Sequence, residues 1–233
     1  MTRSAALIIP AAGLGTRMGQ RKALMPLDDR PIIVHTLERF LPLAERLGAV
    51  VVVAHPDDID QAERVLEPLG GGFGSLAVVP GGARRQDSVR AGLEAAPPDL
   101  ELVAIHDAVR PFVSPSTVAA ALETAAQVGA AIVAAPMKPT VKRVEEGRVV
   151  ATLDRQRLWC AQTPQVFRRH LLLAAWQAAE RDGLEVTDDA QLLEHIGHPV
   201  AVVPGSDLNI KITTPEDLAL ARAILAAGLL PDR

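Results

Sequence analysis

The chain has no tyrosine, and two tryptophans and four phenylalanines bring its aromatic share to only 3% of 233 residues. A core with so few rings must be aliphatic, and 48% hydrophobic residues are enough to exclude a disordered chain. Excess positive charge is missing too, because 24 Lys and Arg face 28 Asp and Glu for a net charge of −4. A general nucleic-acid binder carries the opposite balance, so no nucleic-acid partner is expected, and an anionic ligand must be held by a local cluster of cations. No apolar run approaches the roughly 18 residues that cross a bilayer, so no membrane partner is expected either. Cys160 is the single cysteine and cannot close an internal disulfide, which points to a reducing, cytoplasmic setting. Cys160 is a weak candidate nucleophile and is expected to be a small buried hydrophobe. Arg3 and the short apolar run after it do not form a signal peptide, because Pro10 and a glycine loop end that run too early.

What is present is an alternation. Apolar runs at 5–9, 50–54, 76–79, 102–106, 130–135 and 200–203 read as strands. Between them, residues 31–41, 57–66, 85–95, 114–128, 168–182 and 187–195 read as helices, with a last helix opening at Thr214-Pro215-Glu216-Asp217. Ser114-Pro115 and Thr214-Pro215 each offer an N-cap followed by a helix-starting proline. Strands of near-continuous Val, Ile and Ala are buried on both faces, so the chain is expected to be α/β, a Rossmann-like, mainly parallel sheet with helices on both sides. Ligands of such sheets bind beyond the carboxyl ends of the strands. The alternation breaks at 138–159, where polar and β-branched residues around Glu145-Glu146-Gly147 read as an inserted hairpin, either a solvated surface hairpin or a dimerisation arm. No linker or repeat divides the rest, so one domain over 1–233 with an arm at about 138–159 is expected.

Three glycines and three cations crowd the stretch PAAGLGTRMGQRK at 10–22, directly after the first strand. The glycines let backbone approach a ligand closely, and the cations make that ligand an anion. A dinucleotide fingerprint is a poor fit, since Met18 stands where its third glycine belongs and the following acidic residue is misplaced. The P-loop pattern is absent. What remains is a loop whose N–H groups can wrap a triphosphate, with Arg17 and Lys22 to neutralise its oxygens.

PAAGLGTRMG followed by Lys22 resembles the signature of nucleotidyltransferases that activate sugars and polyols. With GGARRQDSV at 81–89, HDAVRP at 106–111, LDRQRLWCAQTPQVF at 153–167, TDDA at 187–190 and NIKITTPEDL at 209–218, the chain resembles the 2-C-methyl-D-erythritol 4-phosphate cytidylyltransferase family over essentially its whole length. The resemblance implies transfer of a cytidylyl group from CTP to methylerythritol phosphate with release of pyrophosphate. The phosphate nucleophile is already ionised, so no general base is needed, which agrees with the lack of a Ser/His/Asp or Cys/His pattern.

By the same resemblance, Pro10, Ala11, Ala12, Gly13 and Gly15 hold CTP, and Arg17 and Lys22 stabilise the transferring group and the leaving pyrophosphate. Gly82, Ala83 and Ser88 match the cytosine-recognition segment, although Ser88 also suits the first turn of a helix. Asp107 and Ala108 are expected to contact CTP, with Asp107 also the contact to Mg²⁺ or another divalent cation, and His106 is expected to be structural. Thr140, Arg155 and Lys211 fall on the acceptor side, with Thr163 and Thr187 nearby. Arg155 and Lys211 are expected to hold the attacking phosphate in line. The arm is implied to cross to a second subunit, making a homodimer in which Thr140 and Arg155 act in trans. The loop before Lys22 is shorter than the family's usual one, so Arg21 is a possible sharer of its role. Other readings are a ribitol 5-phosphate cytidylyltransferase, a uridylyl- or guanylyltransferase, and a non-catalytic nucleotide-sensing module.

Overall fold

A computed structural model describes residues 4–13 and 21–231. The first strand, β1 (Ala5–Pro10), is followed by the short pair β2 (Pro26–Leu27) and β3 (Arg30–Pro31), then α1 (Ile32–Glu38), β4 (Leu47–Ala54), α2 (Ile59–Gly70), β5 (Leu76–Pro80) and α3 (Arg85–Ala95). After these come β6 (Leu102–Ile105), α4 (Pro115–Val128), β7 (Ala130–Pro136), the hairpin β8 (Lys142–Glu145) and β9 (Arg148–Thr152), and β10 (Trp159–Arg168). The chain closes with α5 (Arg169–Arg181), α6 (Ala190–His195), β11 (Ala201–Pro204) and α7 (Pro215–Ala226).

Seven strands form the central sheet in the order β11-β7-β10-β6-β1-β4-β5. Every neighbouring pair is parallel except those of β10, which is antiparallel to both β6 and β7. Successive residues of β1 enter opposite layers, as the unbroken apolar runs require. Ala5, Leu7 and Ile9 pack with α1, α2 and α4 on one face, while Ala6 and Ile8 pack with α3, α5 and α6 on the other. A smaller cluster seats α7, through Leu218, Ala221 and Ile224, on Leu27, Ile32, Phe112 and Ile212.

The helix-start signals work as the sequence implies. Ser114 Oγ accepts from Thr117 N at 3.0 Å, and Thr214 with Asp217 forms a capping box at the start of α7. Two expected helices begin later, α2 after a short turn at Pro56–Asp58 and α6 only at Ala190, because Thr187 to Asp189 form the entry turn. Residues 31–41 split into α1 and a separate turn at Leu41–Leu43 around Pro42.

Of the central sheet, strand β10 is absent from the apolar pattern, as is the short β2–β3 pair outside it. The register of β10 against β7 shifts between Ala161 and Gln165, around a cis Thr163–Pro164 bond. Cys160 is a correction as well. It is exposed, 4.0 Å from Met137 Sδ, because this end of β10 runs on beside Ala135 and Pro136 toward the hairpin instead of into the core. The hairpin itself closes at Glu146 and Gly147, both with positive φ, and forms a two-stranded sheet of its own.

Candidate active site

The chain leaves β1 toward β4 and β5 on one side and returns to β6 on the other, so the switch in winding direction falls at β1. In open α/β sheets, that is where a crevice forms beyond the carboxyl ends. A cavity of about 400 Å³ lies there, lined from the ends of β1 (Pro10, Ala11, Ala12, Gly13), β4 (His55) and β6 (Asp107, Ala108, Val109), and from the segment after β5 (Gly82 to Arg85). Lys22, Ala23, Ser88 and Lys211 complete its wall. Short backbone bonds fix these strand ends side by side: Ala11 N donates to Val53 O and Gly81 N to Ala54 O, both at 2.8 Å, and His106 N donates to Ile8 O at 3.0 Å.

Glycine is required where the first two loops meet. A Cβ on Gly81 would stand 2.5 Å from Ala12 Cβ and 2.8 Å from Ser88 Oγ, so any side chain there would push the loops apart. Ser88 is buried in the first turn of α3, where its hydroxyl accepts from Gly82 N and donates to Arg84 O, each at 3.3 Å. It is therefore both a helix residue and the tie that shapes the Gly82 loop.

Asp107 is the electrostatic centre of the wall. Its carboxylate is buried and receives Lys211 Nζ at 3.0 Å, Arg110 Nε at 3.1 Å and, more loosely, Arg85 Nε at 3.6 Å. Burial alone would raise its pKa, but Lys211, Arg85 and Arg110 together hold the carboxyl well below the usual range. Asp107 N donates to Thr163 Oγ1 at 3.1 Å. His106 Nε2 is 3.1 Å from the Arg110 carbonyl and must donate to it, so Nδ1 accepts from the Thr163 hydroxyl at 3.0 Å. His106 is buried, and that burial pushes its pKa down to about 4, keeping the ring neutral. It is a structural histidine, as expected.

Lys22 opens a short turn at Lys22–Leu24 and donates from Nζ to Thr213 O at 2.8 Å, which ties the end of the glycine loop to the segment carrying Lys211. Arg21 is not part of the lining. Its guanidinium pairs with Asp57 at 2.7 Å and with Asp58, at the entry to α2. Gly15 and Arg17 lie outside the described residues.

The structure thus brings together Pro10, Ala11, Ala12, Gly13, Lys22, Gly82, Ala83, Ser88, Asp107, Ala108 and Lys211 around one cavity. Thr163 lies behind it, against Asp107. Thr140, Arg155 and Thr187 are not on the wall: all three are exposed, and the Arg155 guanidinium donates to the Lys138 carbonyl within the arm.

Residues 5–227 match the family described as 2-C-methyl-D-erythritol 4-phosphate cytidylyltransferase. The chain belongs to this family. A protein of that name from Solibacter usitatus is 46% identical, over 94% of this chain and 95% of its own length. One from Desulforamulus reducens is also 46% identical, over 94% of each chain. Among solved structures, the crystal structure of 2-C-methyl-D-erythritol 4-phosphate cytidylyltransferase from Thermus thermophilus superposes with a TM-score of 0.78 at 37% identity, covering 97% of this chain and all of the other. The 4-diphosphocytidyl-2C-methyl-D-erythritol synthase from Anaerococcus prevotii superposes with a TM-score of 0.85 at 33% identity, covering 95% and 96%.

For this family member, sequence reasoning missed Ala23, His55, Arg84, Arg85 and Val109 on the wall, and Arg110 and Asp189 next to it. Arg85 and Arg110 lay inside the quoted motifs GGARRQDSV and HDAVRP, so a search for cations near Asp107 could have raised them. Asp189 lay inside the quoted motif TDDA, but no local pattern marked it for burial beside a cation. It is fully buried beneath Arg85, with Oδ2 2.8 Å from Arg85 Nη2, and burial raises its pKa against the pull of that guanidinium. Arg85 itself is raised: its burial works against the charge, and Asp189 and Asp107 outweigh that.

Proposed function

We propose that the protein transfers the cytidylyl group of CTP to 2-C-methyl-D-erythritol 4-phosphate, giving 4-diphosphocytidyl-2-C-methyl-D-erythritol and pyrophosphate. A phosphate oxygen of the acceptor forms the new bond to the α-phosphorus of CTP as the bond to the β-phosphate oxygen breaks. The single observation carrying this reading is the strand-end cavity whose wall combines Pro10 to Gly13, Lys22, Asp107 and Lys211, in a chain that belongs to the family along its length.

The chemistry required of the protein is electrostatic, because two polyanions must meet and charge builds on the leaving pyrophosphate. The backbone of Pro10 to Gly13, continuing to Gly15, holds the triphosphate, and Arg17 and Lys22 neutralise the groups that gain charge. Gly82, Ala83 and Ser88 receive the base, and Lys211 holds the attacking phosphate in line. Thr163 acts behind the wall, orienting the Asp107 backbone.

Asp107 is the buried carboxylate of the cavity, and no group of three or more metal-ligating side chains occurs among the described residues. One carboxylate fits Mg²⁺, which keeps several waters and shares substrate phosphates. When bound, such a cation would neutralise phosphate oxygens, and Asp107 would be its protein contact.

Thr140, Arg155 and Thr187 serve the acceptor only if something completes the site. A homodimer does so, with Thr140 and Arg155 supplied by the arm of the second subunit. Its support is the apolar surface of that arm, where Val144 and Val149 pair across the hairpin and, with Val150, Leu153 and Trp159, stand exposed. No helix among the described residues is long and apolar enough to cross a membrane, and the one free thiol suits a reducing cytoplasm.

Pyrophosphate release tests the reading, with CTP, UTP and GTP crossed against methylerythritol 4-phosphate and ribitol 5-phosphate, with and without Mg²⁺. Release confined to CTP with methylerythritol phosphate and Mg²⁺ is expected. Release with ribitol phosphate instead would overturn the acceptor assignment, and release without divalent cation the metal assignment.

A further inference from the structure

Asp189 is the N-cap residue of α6, yet its side chain makes no cap hydrogen bond. Gln165 Oε1 does that work, accepting from Asp189 N at 3.0 Å and Ala190 N at 3.1 Å, while Gln165 Nε2 donates to Asp188 at 2.9 Å. The Asp189 carboxylate is thus fully buried and spent on nothing in its own helix. Its ion-pair partner is Arg85, but neither carboxylate oxygen receives a well-aligned hydrogen bond among the described residues. Leaving a buried carboxylate so poorly partnered costs stability that a neutral side chain would avoid.

Arg85, the first residue of α3, spans the gap from Asp189 to Asp107, and its guanidinium lines the cavity. Three cations, Arg85, Arg110 and Lys211, therefore stand around two buried carboxylates. Without the charge of Asp189, Arg85 would turn fully onto Asp107, whose Oδ1 its Nε already approaches at 3.6 Å, and would draw that carboxylate away from Lys211, which holds Oδ2.

We propose that Asp189 is a positioning residue for cytidylyl transfer: it draws Arg85 back from Asp107, so that Asp107 keeps Lys211 oriented toward the acceptor phosphate. This rests on the reading of the site given above. The TDDA segment then contributes through Asp189 from beneath the cavity wall, whereas Thr187 is exposed and its amide donates to Gln191.

Asp189→Asn keeps the shape and removes the charge. Its crystal structure, compared with that of the unsubstituted protein, is expected to show Arg85 drawn closer to Asp107 and Lys211 displaced. Turnover is expected to fall about tenfold to a hundredfold, the cost of misplacing a reacting group by about 1 Å. KM for CTP is expected to stay within about threefold, because the nucleotide contacts remain. In an Arg85→Ala background, Asp189→Asn is expected to change turnover no further, since the residue it acts through is gone. Unchanged positions of Arg85 and Lys211 in the crystal, or an equal loss of turnover in both backgrounds, would overturn the proposal. Should Asp189→Asn not fold, Arg85→Lys keeps the charge but cannot span both carboxylates; a loss of turnover on the same scale is expected, and unaltered turnover overturns the proposal. An unsubstituted protein inactive on CTP and methylerythritol phosphate would instead overturn the assigned reaction, and the crystal comparison would still decide the role of Asp189.

Discussion

Lys211 Nζ stands 3.0 Å from Asp107 Oδ2, so the cation assigned to the attacking phosphate is itself held by the buried carboxylate of the cavity wall. The pair joins the end of β6 to the segment that leads into α7, two parts of the chain that no local pattern connects. Lys211→Ala removes a positioning cation and leaves Asp107 with Arg85 and Arg110. Turnover is expected to drop about 10²–10³-fold with little loss of thermal stability, read by pyrophosphate release and a melting curve. Near-normal turnover in a folded variant would remove Lys211 from the mechanism.

Lys22 and Arg21 are neighbours with different work. Lys22 lines the cavity, whereas Arg21 is engaged by Asp57 and Asp58. Lys22→Ala is expected to cost about 10²–10³ in turnover, the scale for one transition-state donor. Arg21→Ala breaks a partly exposed pairing and is expected to cost less than about tenfold in turnover and little stability. A larger kinetic loss for Arg21 than for Lys22 would reverse the assignment.

His106 makes stability depend on pH. Its folded-state pKa is depressed to about 4, below the unfolded value of 6.5, so between those values the unfolded chain takes up a proton that the fold refuses. Stability is therefore full above pH 6.5 and declines as pH falls toward 4, by about 3 kcal/mol in all. Asp107, also depressed, loses its contribution only below that window, and Asp189, raised by burial, works in the opposite sense. Urea midpoints at pH 7 and pH 5 measure the slope, and His106→Gln should flatten it. An unchanged slope in a folded variant would place the proton uptake elsewhere.

Subunit mixing tests whether Arg155 acts in trans. Arg155→Ala and Lys211→Ala subunits are each expected to be nearly inactive alone. Random mixed dimers would place both defects in one site and none in the other, restoring about a quarter of the sites. No recovery after verified exchange would put Arg155 in its own subunit's site or outside the mechanism. Val149→Asp, which charges the exposed hairpin face, is expected to shift sedimentation from dimer to monomer.

Much of this protein was legible in its residues taken singly and in short runs. Double-sided strands announce themselves because both faces must be apolar, as Leu7 and Ile8 are in opposite layers of β1. Capping residues act within one turn, so Ser114 and Thr214 mark their helices without help from the rest of the fold. Pro10 to Gly13 and Lys22 likewise come from one short stretch, and so do Gly82, Ala83 and Ser88. Strand β10 could not be read that way. Its centre is Gln162, Thr163, Pro164 and Gln165, polar or unable to donate, and it is buried because distant partners satisfy it: Ser206 and Asn209 for Gln162, His106 and Asp107 for Thr163, Asp188 and the start of α6 for Gln165. Only the folded chain brings those partners together, and only there do Arg85, Arg110, Lys211, Asp107 and Asp189 share one buried field. A local pattern records which side chains are charged. The low-dielectric interior and the winding of the sheet decide which charges meet and what each becomes.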